Sequence, residues 1–158
     1  MIRLEQPSIA VNDLRWAAAG KYPVRFHMWR TWDLPKIPAR RGTIVSYVAA
    51  LARQAPGAQV KNLVISCHGA PGYLLLGEGF GQHDVGLFFD WYGLFDVIWL
   101  KGCNVSRDSG QGFCANMAVA TGARVVASTE LQITGPRVLP PTDLQAMTPA
   151  TFPYGCID

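Results

Sequence analysis

Apolar residues along this chain gather in short runs divided by glycine and proline, and the runs carry different periods. Residues 24–29 (VRFHMW) are dense in large and β-branched side chains and predict a strand. The stretch that follows, DLPKIPARRG, holds two prolines and a glycine and reads as a loop. Thr43 is the expected N-cap of a helix in which Ile44, Tyr47, Val48 and Leu51 recur at i, i+3, i+4 and i+7. Pro56-Gly57 stops that helix. Residues 62–66 (NLVIS) are apolar without alternation, the pattern of a strand covered on both faces in a parallel sheet.

Residues 73–77 (YLLLG) read as a short extended piece or hairpin arm. Asp84 is the expected cap of a short helix running to Trp91, weakened by Gly86. Residues 96–101 (DVIWLK) form a second buried-strand candidate. Ser106-Arg107-Asp108-Ser109 offers caps for a helix over 110–121 with Phe113, Cys114, Met117, Ala118 and Ala120 on its apolar face. Gly122 suits the left-handed position that ends it, and residues 124–128 (RVVAS) follow as a third buried strand.

Strands and helices thus alternate, which predicts an α/β fold, a three-layer α/β/α sandwich on a mostly parallel sheet. The pattern fades from Gly135, and residues 135–158 hold five prolines, so this tail is expected to drape irregularly on the domain. No repeat, low-complexity tract or boundary divides residues 1–158, which read as a single domain.

Composition narrows the classes. With 49% apolar and 16% charged residues, the 158-residue chain has enough material for one sizeable core and is not of the disordered type. The net charge of +3 is scattered, with no basic stripe interleaved with aromatics, so nucleic acid is not an expected partner. No apolar run approaches the roughly 20 residues that span a bilayer, and the first residues lack the apolar core of a signal peptide. The cytoplasm is the default expectation, with export by a signal-free route as the alternative. Cys67, Cys103, Cys114 and Cys156 match no zinc spacing, and the missing signal peptide favours reduced thiols. No metal and no cofactor is expected. GEGFG lacks the strand and helix context of a phosphate loop.

The candidate chemistry follows from the parallel sheet. All strands end at one edge, where ligands bind in α/β folds. His68 follows the strand ending at Ser66, and Cys103 follows the strand ending at Lys101. If those strands are neighbours, an imidazole and a thiol separated by 103 − 68 = 35 residues leave the edge side by side. A thiol next to a general base is a nucleophile. Gly69 lets the backbone approach a carbonyl, and its N–H with that of Cys103 is the candidate oxyanion hole. Asp108 and Glu130 are the candidates to select a basic substrate side chain, set against a helix cap and a solvated charge. Cys67 and Cys114 read as core, His27 and His83 as structural or solvated. Trp29, Trp32, Trp91, Tyr92 and Trp99 read as core, with Trp32 the one that would line a pocket if exposed.

A strand ending in His-Gly and a later strand ending in Gly-Cys-Asn resemble the caspase-like cysteine peptidases, the group of caspases, gingipains, clostripain, separase and the bacterial CHAT peptidases. The segments VISCHGAPGYLLLG and IWLKGCNVSRDSGQGFCANMAVATGARVVAS resemble more closely a domain found near the N-terminus of large repetitive bacterial surface proteins. The resemblance covers residues 61–131. It implies a caspase-like α/β/α fold, His68 as general base or acid, Cys103 as nucleophile, and a peptide or protein substrate. The chain has no adhesin repeats attached, and its short tail stands where larger members build substrate pockets. The functions to be weighed are therefore a cysteine endopeptidase with a His68–Cys103 dyad, or a binding or targeting module that keeps the fold without useful turnover. A thiol redox protein is the third reading, disfavoured because no resolving cysteine lies near Cys103 in sequence.

Overall fold

The computed structural model describes residues 4–16, 24–25, 27–129 and 155–156. In chain order the elements are β1 (Ser8–Asp13), β2 (Arg30–Leu34), helix α1 (Arg41–Arg53), β3 (Val60–Ser66), the pair β4 (His68–Ala70) and β5 (Tyr73–Leu75), a 3-10 segment (Gln82–Trp91), β6 (Phe95–Lys101), helix α2 (Gly110–Thr121), β7 (Arg124–Ala127) and β8 (Gly155–Cys156). The main sheet has the order β2-β1-β3-β6-β7-β8. Its first five strands are mutually parallel, and β8 pairs antiparallel with β7. The α/β class with a mostly parallel sheet is thus as the alternation of elements predicts.

Period-two alternation divides the sheet into faces. Ile9, Val11, Leu63, Ile65, Ile98, Leu100, Val125 and Ala127 point to one face, where they meet Ile44 and Val48 of α1, Phe88 and Trp91 of the 3-10 segment, and Phe113 and Met117 of α2. Each such buried aliphatic or aromatic side chain is worth about 1.5–3 kcal/mol, so this face carries most of the stability. On the opposite face Ala10 and Val64 pack with Leu4 and Val24, and Trp99 and Met28 border them. Among the described residues every α-helix lies on the first face.

Strand order reverses between β1 and β3. From β1 the chain passes to β2 on one side, then returns over β1 to β3 on the other. Val24, in the β1–β2 connection, lies on the second face, whereas α1, in the β2–β3 connection, covers the first. A crevice at the C-terminal strand ends is the expected result of such a reversal.

Several elements depart from the sequence expectations. Among the described residues of 24–29 none lies in a strand. Val24 is held instead by a side chain that imitates a strand neighbour: its N–H donates to Asn12 Oδ1 at 2.8 Å, and Asn12 Nδ2 donates to its carbonyl at 3.1 Å. His27 then takes a positive φ of 54°, which ends extended structure. The strands of this region are β1 and β2, and β2 includes the Asp33-Leu34 start of the expected loop.

Helix α1 begins at Arg41 rather than after Thr43, because Glu78 Oε2 accepts the Arg41 N–H at 3.2 Å and acts as a cap from a distant loop. Its buried face is Ile44, Val45, Val48, Ala49 and Ala52. Tyr47 is exposed and stacks on Trp32 with ring centroids 4.3 Å apart. Asp84 is the third residue of its segment, not the cap, and accepts the Gly81 N–H at 2.9 Å. Tyr92, expected in the core, is 67% exposed, while Trp91 is fully buried. Helix α2 has the expected bounds, with Gly122 at φ 67° closing it. Within the expected irregular tail, Gly155–Cys156 form β8, and the rest of 135–158 lies outside the described residues, as does Glu130.

Candidate functional site

Strands β3 and β6 are hydrogen-bonded neighbours running in one direction, with Leu63 opposite Ile98 and Ser66 opposite Lys101. The ladder continues one step, where the Cys67 N–H donates to the Lys101 carbonyl at 3.4 Å. His68 stands two residues past Ser66 and Cys103 two residues past Lys101 (68 − 66 = 103 − 101 = 2). The two residues therefore leave the same sheet edge from adjacent strands at the same offset. His68 is exposed and Cys103 half-buried.

Glycines let the two loops interlock. A Cβ added to Gly69 would lie 2.8 Å from the Cys103 carbonyl oxygen and 3.2 Å from the Cys103 nitrogen. One added to Gly102 would lie 3.3 Å from the Gly69 Cα. Further along, the Gly72 N–H donates to the Val105 carbonyl at 3.0 Å, and a Cβ on Gly110 would sit 1.9 Å from that same oxygen. At Gly69 and Gly110 an added Cβ would collide with its neighbours and at Gly102 it would be crowded, so the two backbones approach closely here, with Val105 Cγ2 packed against both Gly69 and Gly102. The Gly69 and Cys103 N–H groups consequently belong to one contact zone beside the thiol. The turn after Cys103 closes on itself through Arg107 N–H to Asn104 carbonyl at 3.0 Å and Gly110 N–H to Arg107 carbonyl at 2.8 Å. Asn104 and Asp108 take positive φ there, a conformation that Asn and Asp tolerate better than most residues.

A third strand end joins the pair. Asp13, fully buried at the end of β1, accepts the Gly77 N–H at 2.9 Å and is bridged by Arg15, Nε to Oδ1 at 2.9 Å and Nη2 to Oδ2 at 2.6 Å. Arg15 Nη2 also donates to the Gly77 carbonyl at 2.7 Å. The next residue, Trp16, stacks its indole on the His68 imidazole with centroids 5.4 Å apart and planes inclined by 28°. The sequence reading missed Asp13, Arg15 and Trp16 because it missed β1. The available signal was the apolar run Ile9–Val11 flanked by Ser8 and Asn12, of the same type as NLVIS.

The thiols at this edge differ. Cys67, Cys103 and Cys114 are not joined in disulfides. Cys67 is buried on the core face, as expected, and burial pushes its thiol well above the usual range, with the Asp13 carboxylate adding to the rise. Cys67 also lies close enough to Arg15 and Cys103 to feel both electrostatically. Cys114 is in the core, on α2. Burial lowers the Lys101 amine from 10.5 to about 8.

Asp108 is exposed in the turn after Cys103 and pairs with the neighbouring Arg107 at 3.6 Å, a surface pair of little energetic weight. The residue at the N-cap of α2 is Ser109, without a side-chain cap bond, so Asp108 is not the cap. Two buried atoms at this edge, Asn104 Oδ1 and Thr129 Oγ1, have no hydrogen-bond partner. Among the described residues no three His, Cys, Asp or Glu side chains cluster as metal ligands would, and no helix is long and apolar enough to cross a membrane. His27 and His83 are exposed and lie on other segments. No family model matches the chain, and no curated protein and no solved structure matches it.

Proposed function

We propose that this chain is a cysteine peptidase of caspase-like type, acting through His68 and Cys103. The observation that carries the reading is the common offset of the two residues beyond paired positions of adjacent parallel strands, with their loops in backbone contact at Gly69 and Gly102. The resemblance of residues 61–131 to caspase-like peptidases agrees with it. In the reaction, His68 takes the Cys103 thiol proton as the sulfur attacks the substrate carbonyl carbon. The Gly69 and Cys103 N–H groups hold the oxyanion. The C–N bond breaks as His68 passes its proton to the leaving amine. Water then cleaves the thioester and restores the thiol. Asp108 is the described candidate for pairing with a basic substrate side chain, which would have to displace Arg107, its present partner at 3.6 Å.

The test uses a panel of peptidyl acyloxymethyl ketones that differ in the residue beside the ketone, with adducts located by mass spectrometry. Labelling of Cys103 that disappears in His68→Ala is the expected outcome. Equal, slow labelling of every accessible cysteine, unchanged in His68→Ala, overturns the peptidase reading in favour of a binding module.

A further inference from the structure

A general base that works with a nucleophile is ordinarily oriented by a third group, most often a carboxylate or carbonyl bonded to the far ring nitrogen. Here the imidazole of His68 makes no hydrogen bond to any described residue. Its ring contact is the indole of Trp16. The ring is also exposed, at the start of a strand only three residues long. Without a restraint, such a side chain would sample several rotamers.

We propose that Trp16 is the positioning residue of His68, so that an aromatic face does what a third polar residue does elsewhere. The proposal rests on the peptidase reading above. Three observations support it. First, the rings stack with centroids 5.4 Å apart and planes inclined by 28°, an offset arrangement that restricts the imidazole through its face and leaves its nitrogens, which lie on the rim, outside the contact. An indole face also attracts the cationic ring, so contact persists when His68 carries the proton. Second, Trp16 is itself tied to the hairpin that bears His68. Its Nε1–H donates to the Leu75 carbonyl at 2.7 Å, and Leu75 is the residue directly opposite His68 in the β4–β5 pair. The support and the supported ring thus share one registered unit. Third, the segment preceding Trp16 is anchored to the end of the same hairpin through Asp13, Arg15 and Gly77. Trp16 leaves β1 and His68 leaves β3, the two neighbouring strands between which the sheet order reverses.

The experiment compares the full chain with Trp16→Leu, which removes the aromatic face, and Trp16→Phe, which keeps a face and loses the N–H. The readout is inactivation of Cys103 by the best ketone of the panel, resolved into reversible affinity and the maximal rate of alkylation. Trp16→Leu is expected to lower the maximal rate by about 3- to 10-fold, the scale of one aromatic stacking contact, with affinity unchanged. Trp16→Phe is expected to recover the rate to within about twofold, since it restores the face. A rate unchanged in Trp16→Leu while His68→Ala still abolishes labelling overturns the positioning role and leaves the dyad standing. Labelling indifferent to His68→Ala overturns both. A measurement on the unaltered chain covers the case in which Trp16→Leu does not fold. The His68 ring protons are expected to show upfield ring-current shifts and nuclear Overhauser contacts to the indole, and their absence refutes the stack.

Discussion

The edge of the sheet has two levels, and they are built by opposite means. The lower level is the floor at Asp13, Arg15 and Cys67, where a fully buried carboxylate is bridged by a guanidinium and a thiol is kept protonated by burial. The upper level is the rim at His68, Gly69, Gly102 and Cys103, where glycine backbones pack closely against each other and against Val105, with His68 exposed and Cys103 half-buried. Charge pairing holds the first and absence of side chains holds the second. The same edge therefore keeps one thiol inert and presents another, with Trp16 linking the levels.

The comparison is broken most severely from below. Asp13→Ala leaves a partly buried Arg15 without its carboxylate and frees the Gly77 N–H, and it is expected to cost about 3–5 kcal/mol in urea unfolding. The rim responds to added atoms instead. Gly110→Ala must displace the Val105 carbonyl and Gly69→Ala that of Cys103, so each is expected to lose about 1–3 kcal/mol. Gly112→Ala is the control, because its Cβ would meet nothing within 4 Å, and it is expected to gain about 0.5–1 kcal/mol as an ordinary helix substitution. Equal losses at positions 69 and 112 would show that the rim is not tightly packed.

Alkaline pH gives the finest distinction, through buried groups beneath the rim. The folded chain binds the Lys101 proton more weakly than the unfolded chain, so stability should rise between about 8 and 10.5 as the amine is neutralised. Cys67 acts in the other sense. Its raised thiol contributes stability that is complete below 9.0 and is lost as pH climbs beyond it, since the unfolded chain then releases the proton first. Each slope is at most about 1.4 kcal/mol per pH unit. Urea midpoints across pH 7–11 should lose the rising limb in Lys101→Met and the falling limb in Cys67→Ala, and a profile identical in both variants would refute the assigned burial.

The central strands were legible because apolar runs without polar alternation mark them: β3 is buried on both faces, while β6 is buried on one face and half-buried at Val97, Trp99 and Lys101 on the other, and Gly110–Thr121 is bracketed by a turn and a left-handed glycine. These segments gave the parallel direction and placed His68 and Cys103 at one edge on the condition that their strands are neighbours, and the β3–β6 pairing meets that condition. The first two strands were not legible for equally physical reasons. Ser8–Asp13 carries buried Asn12 and Asp13, two polar residues that a composition-based reading counts against a core strand, and their partners include the distant Val24, Asp33 and Gly77. VRFHMW has strand composition, yet the Asn12 side chain already supplies the pairing that a strand neighbour would give Val24. The start of α1 depends on Glu78, from a loop 78 − 41 = 37 residues away, and no local pattern encodes that. The support under His68 escaped notice for the same reason, since Trp16 acquires its meaning only when β1 is placed beside β3.

The interval of two residues that separates His68 and Cys103 each from the last paired position of its strand has an evolutionary and engineering consequence. Backbone extension reverses the pointing direction at every step, so the interval is a matter of parity. Cys67 is buried and His68 exposed though they are consecutive. Deleting one residue from either junction would exchange inward for outward and put the wrong group at the surface. At Cys67 and His68 a change of length should therefore be more damaging than a substitution, whereas Gly69 and Gly110 are constrained in size as well.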